Sequence, residues 1–413
     1  MNDLEVEGML MHQRNGWLVI AIVLLSFFIN QPSTKAEETK QYVSNIHNTR
    51  ETEIKLIDTT RYLARFTYDS GYNFNYPDAV RGIYVTGHSA GGARFETLLN
   101  LVNSTELNAM VIDIKDDYGN LTFKPDEDSP FYDISKPYIS DPVQMMDVLE
   151  EHGIYPIARI VVFKDSVLAE RRPDLSFLEN GKVWVNNRGE AFVNPYEKEV
   201  WEYNVEIAKK AVELGFQDIQ FDYVRYPEGF ELRDDTLEYS QGEYADIDIE
   251  GVKKRVEAVT DFVAYAREEL NHYGVDVSVD IFGYAATVEE TQGIGQNFSK
   301  ISENVDVISS MIYPSHWTPY FGIDYPDQEP YAIVDAYSKV ENDILAALQN
   351  QPISRPWIQD FEAPWLYSGP TFSYGVAEVE AQIRALNENG IDEFLLWNAG
   401  NVYTEGVDYT PLD

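Results

Sequence analysis

Eight short runs of apolar and β-branched residues, spaced by longer amphipathic stretches, limit this chain more than any other feature. The runs are Gly82–Thr86, Ala109–Ile114, Ile157–Phe163, Asp218–Tyr223, Val277–Phe282, Val305–Ile312, Trp357–Phe361 and Glu393–Trp397. Most are almost continuously apolar, as parallel strands covered on both faces must be. Helical signals separate them. Val252, Val256, Val259, Val263, Ala266 and Leu270 step by fours and threes along one face. Asp141-Pro142 reads as an N-cap followed by a first-turn proline. Gly153, Gly215, Gly274 and Gly390 each follow a helical stretch and precede an apolar run, where a left-handed cap belongs. Strand, helix, glycine and strand, repeated to eight, predict an α/β fold of the (β/α)8 (TIM) barrel type over residues 80–413. A doubly wound open sheet is the alternative, but it ordinarily has fewer strands and a glycine-rich phosphate loop.

The N-terminal part differs. Trp17–Ile29 is apolar apart from Ser26, a run of 13 residues that is short for a membrane span. Residues 1–36 are therefore expected to be a signal peptide, with Thr34-Lys35-Ala36 as its cleavage site, or an uncleaved anchor. Only Arg14 is basic ahead of the run, which leaves the anchor in play. Residues 37–79 read as a linker and an extension that packs on the barrel. Either reading places the barrel outside the cytoplasm, secreted or tethered through residues 17–29.

With 70 acidic and 31 basic side chains, the net charge is −39. Such a field repels phosphate backbones and polyanionic polymers, so nucleic acid is excluded as a partner. Neutral and cationic sugars remain. The sequence has no cysteine, which rules out disulfides, thiolate zinc sites and a cysteine nucleophile. No two of the six histidines have metal-ligand spacing, and no metal or cofactor is expected. Asp126-Glu127-Asp128 reads first as solvated surface, with Ca²⁺ as the alternative.

In a barrel, the segments after the strands build the active face. Those after the second, third and fourth runs are long: Asp116–Ser140, Lys164–Tyr196 and Arg225–Glu250. Carboxylates mark the same ends. The second run carries Asp113, Lys115, Asp116 and Asp117, the third Arg159 and then Lys164, and the fourth Asp222 followed by Arg225. The fifth carries Asp280, and the seventh Asp360 and Glu362. Charges within apolar strands are costly unless paired or functional. Glycosidic hydrolysis needs one carboxylate to attack or to activate water, and a protonated one to serve the leaving oxygen.

Asp222 is the expected nucleophile or base, kept ionised by Arg225. Its bland reading is a salt bridge to Arg225 or Lys115. Asp280, in an apolar setting, is the expected acid, or else a satisfied core aspartate. Asp360 would stabilise charge or bind hydroxyls, or cap a helix before Ala363-Pro364. Substrate contacts are expected from Asp113, Lys115, Arg159, Arg225, Tyr313, His316, Trp317, Trp357 and Trp397. Tyr223, Tyr226, Phe282, Tyr284 and Trp365 crowd the same loop ends. Part of this aromatic set is expected to be core.

Several motifs in order carry a resemblance: Gly82-Ile83-Tyr84-Val85-Thr86-Gly87, Glu106 to Asp117, Ala158 to Asp165, Val193-Asn194-Pro195-Tyr196 and Ile219 to Pro227. Over residues 80–400 the chain resembles a largely uncharacterised bacterial family of glycoside-hydrolase-like barrel domains. That resemblance implies a barrel and a sugar substrate. More distantly it is similar to the α-amylase superfamily, whose nucleophile, acid and stabiliser follow strands four, five and seven. Asp222, Asp280 and Asp360 would hold those places. Two positions depart from the pattern: the strand-five acid there is Glu, and the Arg two residues before the nucleophile is Gln220 here. Glu362 or a strand-six group is thus an alternative acid.

The expected function is hydrolysis of an extracellular or envelope polysaccharide. A non-catalytic glycan-binding barrel is the first alternative. Gly87-His88-Ser89-Ala90-Gly91 matches a nucleophile elbow and offers a serine esterase as a second. Against it, too few strands precede Ser89 and no histidine closes the domain. Its plainer reading is a small-residue turn with Ser89 as a cap.

Overall fold

The computed structural model describes residues 68–411, together with two short strands, Gln41–Val43 and Glu51–Glu53, which pair antiparallel. The apolar run Trp17–Ile29 and the expected cleavage site Thr34-Lys35-Ala36 lie outside the described residues. Among those described, no helix is long and apolar enough to cross a membrane.

Eight strands form the barrel: β1 Arg81–Val85, β2 Ala109–Lys115, β3 Tyr155–Val161, β4 Asp218–Asp222, β5 Asp276–Phe282, β6 Val307–Met311, β7 Trp357–Gln359 and β8 Phe394–Trp397. Every neighbouring pair is parallel, and β1 pairs with both β2 and β8, so the sheet closes. All eight expected runs are strands, with ends displaced by a residue or two. Helices lie between successive strands, including Pro142–Glu151, Lys198–Leu214 and Gly251–Leu270. Asp141 accepts the Gln144 N–H at 2.9 Å as the N-cap. Gly153, Gly215, Gly274 and Gly390 all take positive φ.

The side-chain alternation along β4 explains how charge enters an apolar fold. Ile219 and Phe221 are fully buried and face outward, Phe221 against Phe262 of helix Gly251–Leu270. Burying such a side chain contributes about 1.5–3 kcal/mol. Asp218, Gln220 and Asp222 face the barrel interior, where each has a side-chain partner. The interior is therefore polar at both ends.

At the lower end, Arg355 is fully buried and donates to Asp218 Oδ2 at 2.7 Å, Glu393 Oε2 at 2.7 Å and the Tyr76 hydroxyl at 2.9 Å. Ser278 donates to the other Asp218 oxygen at 2.6 Å. Tyr76 belongs to the segment ahead of β1. Nearby, Tyr72 donates to Asp147 at 3.0 Å, so residues 72–76 are fastened to the barrel base.

Two details correct sequence expectations. A register shift between Asp113 and Lys115 marks a β-bulge. Regular alternation would point both side chains inward. The bulge instead turns Lys115 outward, where it pairs with Asp165 at 2.6 Å and donates to Asn204 at 2.9 Å, with none of its side chain exposed. Lys115 is thus a buried strut paired with Asp165, where a substrate contact was expected. The Gly87–Ala90 motif is a short helix capped by Thr86, which accepts the Ser89 N–H, so Ser89 is not the cap. Among the described residues the Ser89 hydroxyl bonds to Thr86 and to no histidine. A Cβ on Gly91 would lie 1.9 Å from the Tyr138 carbonyl oxygen. The motif's glycines therefore serve close packing. Gly91→Ala is expected to cost about 1–3 kcal/mol, measurable as a lower urea midpoint.

Candidate active site

The C-terminal ends of β2, β3 and β4 bring three expected residues together. Arg159 of β3 lies beside Asp113 of β2 and Gln220 of β4 in register. Its guanidinium donates to Asp113 Oδ1 at 2.7 Å, to Asp222 Oδ2 at 2.9 and 2.5 Å, and to Asp117 Oδ1 at 2.9 Å. Asp222, expected beside Arg225, is held by Arg159. Arg225 instead packs between Tyr223 and Phe282, each ring centroid 4.8 Å away, and pairs with Glu228 at 3.3 Å. The second Asp222 oxygen accepts the Tyr223 N–H at 2.6 Å. Tyr223 has φ of 52°, an uncommon conformation for a bulky residue, of the kind that clusters at functional sites.

Asp280 sits on the neighbouring strand at the level of Asp222, because Phe221 of β4 pairs with Val279 of β5. Its Oδ1 accepts the Trp357 indole N–H at 2.7 Å. Burial, and then the negative charge of Asp222, push Asp280 well above the usual carboxylate range, against the Trp357 hydrogen bond and Arg159. The mouth therefore sets Asp222, ion-paired with Arg159, beside Asp280, whose neutral form burial favours. Asp113 is raised to about 6 by burial, opposed by Arg159 and by the Tyr84 hydroxyl, which donates to it at 2.6 Å.

Asp117 is the accessible carboxylate, its side chain 41% exposed. Burial favours its neutral form, but Arg159 and Lys164 overcome this and lower it to about 2. Lys164 also pairs with Glu190 at 3.0 Å and donates to the Tyr223 hydroxyl at 3.2 Å.

A family model described as "Putative glycosyl hydrolase domain" matches residues 82–403, a span containing all of these groups. The chain belongs to this glycosyl hydrolase family. No curated protein sequence matches it. Among solved structures, the PgaB (BpsB) glycoside hydrolase domain from Bordetella bronchiseptica is similar at 12% identity and a TM-score of 0.52, over 78% of this chain and 94% of that one. At that identity the likeness concerns the fold. A hypothetical protein from Ruminiclostridium thermocellum shares 34% identity at a TM-score of 0.41, over 48% of this chain and 96% of that one. An α-amylase from Lactobacillus plantarum is 13% identical at a TM-score of 0.46, over 78% and 71% of the two chains.

From β6 to β8, and at Tyr84 of β1, the mouth is aromatic. Trp397 stacks on Tyr84 with centroids 4.1 Å apart. Trp357 meets Trp397 edge-on at 5.5 Å, and Tyr313 lies 6.3 Å from Trp397. His316 meets Tyr313 at 5.2 Å and bonds to Ser315 at 3.1 Å. Trp317 packs away from this group, among Tyr320, Phe321 and Tyr337. Tyr226, fully buried among Phe177, Tyr196 and Phe230, is core.

Asp360 stands apart. Both its carboxylate oxygens accept from Thr404, the N–H at 2.9 Å and the hydroxyl at 2.5 Å. Period two explains this: Trp357 faces inward, so a residue three further on points the other way. Glu362 is exposed and its side chain accepts from Ser373 at 3.3 Å. Tyr84 and Glu190 are not among the residues the sequence singles out, and Asp117 is named there only as one of three strand-end carboxylates. Tyr84 sits inside an apolar run and has no sequence signal of its own. Asp117 adjoins Asp116, and spacing does not distinguish the two.

Proposed function

We propose that this glycosyl hydrolase domain cleaves a polysaccharide outside the cytoplasm by carboxylate acid–base chemistry. Asp222 acts as nucleophile or base at the anomeric carbon. Asp280 delivers a proton to the leaving oxygen. Arg159 orients Asp222 and shares its charge with Asp113 and Asp117. Asp117 and Lys164, at the open rim, bind sugar hydroxyls, and Trp397 and Tyr313 offer ring faces. Residues 1–36 export or tether the chain, and residues 80–413 do the chemistry.

The observation that supports this reading most is the contrast between Asp222 and Asp280 on adjacent strands. A carboxylate ion-paired with Arg159 beside a carboxyl held above the usual range is the arrangement an acid–base pair requires. Asp280 works only while protonated, so activity is lost as pH rises through its elevated pKa. The alkaline limb of kcat/KM should therefore lie well above the ordinary carboxylate value of about 4. A limb at the ordinary value would remove Asp280 from the acid role.

A non-catalytic reading draws on one feature: both oxygens of Asp222 already accept hydrogen bonds. It expects glycan binding without reducing-end release at any pH.

A further inference from the structure

Trp365 follows β7 and is 62% exposed, with Leu366 beside it 46% exposed. Large apolar side chains so open to water are uncommon unless something covers them. Trp365 is not a loose end. It lies in the short turn Pro364–Leu366, whose proline restricts the backbone. Its ring lies over Phe361 at 6.2 Å and 26°, and His316 meets it edge-on at 6.2 Å. Phe361 in turn meets Tyr313 at 5.9 Å, and Tyr313 meets Trp397 at 6.3 Å. Rings therefore run without a break from the site's carboxylates to solvent. Of this run, Tyr84 bonds to Asp113, Trp357 to Asp280, Trp397 lies by Arg159, and Tyr313 faces Asp280 and Asp222. Among the described residues, the ring contacts of Trp365 are to Phe361 and His316.

We propose that Trp365, backed by Phe361, is a sugar-stacking subsite set off from the cleavage position, filled by a pyranose further along a polysaccharide chain. The flat C–H face of a pyranose suits an open indole, as flat apolar surfaces suit aromatic faces generally. The net charge of −39 opposes polymers of acidic sugars, so the occupant is a neutral or amino-sugar chain. A subsite this far along the track makes affinity depend on chain length. The inference rests on the glycan reading of the mouth but not on its acid–base chemistry.

The test is affinity electrophoresis of the full-length chain in native gels containing soluble starch, hydroxyethylcellulose, galactomannan or glycol chitosan. The parent should be retarded by at least one polymer. Trp365→Ala should weaken that retardation about five- to tenfold in apparent Kd. Trp365→Phe, which keeps a ring, should recover most of it. Equal retardation of parent and Trp365→Ala, or no retardation of the parent in any gel, overturns the subsite. So does concentration-dependent self-association that Trp365→Ala abolishes, which would assign the ring to a second copy. Reducing-end release measured in parallel keeps the two claims separate. Retardation without release leaves the subsite and removes the enzyme. Release by the parent, together with retardation indifferent to Trp365, does the reverse.

Discussion

Asp280→Asn is expected to slow hydrolysis of natural glycosidic bonds about 10²- to 10⁴-fold, the usual worth of a positioned general acid. The same variant should cleave aryl glycosides with nitrophenol leaving groups nearly as fast as the parent, because such leaving groups depart without protonation. This split is what distinguishes a proton donor from a residue that merely shapes the site. Asparagine keeps the shape and still accepts the Trp357 indole N–H, so the fold should survive. Parallel losses on both substrates would mean that Asp280 is a satisfied interior aspartate. Asp280 is buried next to Asp222, and both facts oppose its ionisation.

Arg355→Met should have the largest effect on stability. Arg355 and Asp218 are both fully buried, and Glu393 nearly so. Removing the guanidinium leaves two carboxylates at the barrel base without their counter-charge. Breaking a buried pair from one side costs about 3–5 kcal/mol, which a urea titration resolves. Arg355 lies at the opposite end of the barrel from Asp222, so any folded fraction should keep its specific activity. A midpoint shift below about 1 kcal/mol would mean that water or rearrangement compensates for the lost charge. The contrast with Asp280 separates the two polar ends of the interior, one structural and one chemical.

How much of this was legible in the sequence follows from the same physics. The strands were, because residues such as Ile219 and Phe221 are buried against helices and leave continuous apolar runs. The helix ends were, because Gly215 and Gly274 must take positive φ. Asp113, Arg159, Asp222 and Asp280 stood out as charges inside those runs, and all four lie in the barrel interior. What the sequence could not give is who pairs with whom. Arg225 follows Asp222 closely along the chain, yet Arg159, a whole βα unit earlier, is the partner. Lys115 was misplaced because one bulge reverses the alternation that makes strands readable. Asp360 matched a family position but lies on the wrong side of β7 for the Asp222 cluster. Tyr84 was invisible, since a tyrosine in an apolar strand looks like core until its hydroxyl is seen on Asp113.

The most direct test of the central claim is reducing-end release by the purified protein on α- and β-linked polysaccharides, with Asp222→Asn in parallel. Arg159 keeps Asp113 and Asp117 as partners in that variant, so folding should be retained and checked by circular dichroism. The account predicts release by the parent from at least one polymer and a loss of about 10³-fold or more in the variant. Equal release by both proteins would contradict it and take Asp222 out of the reaction.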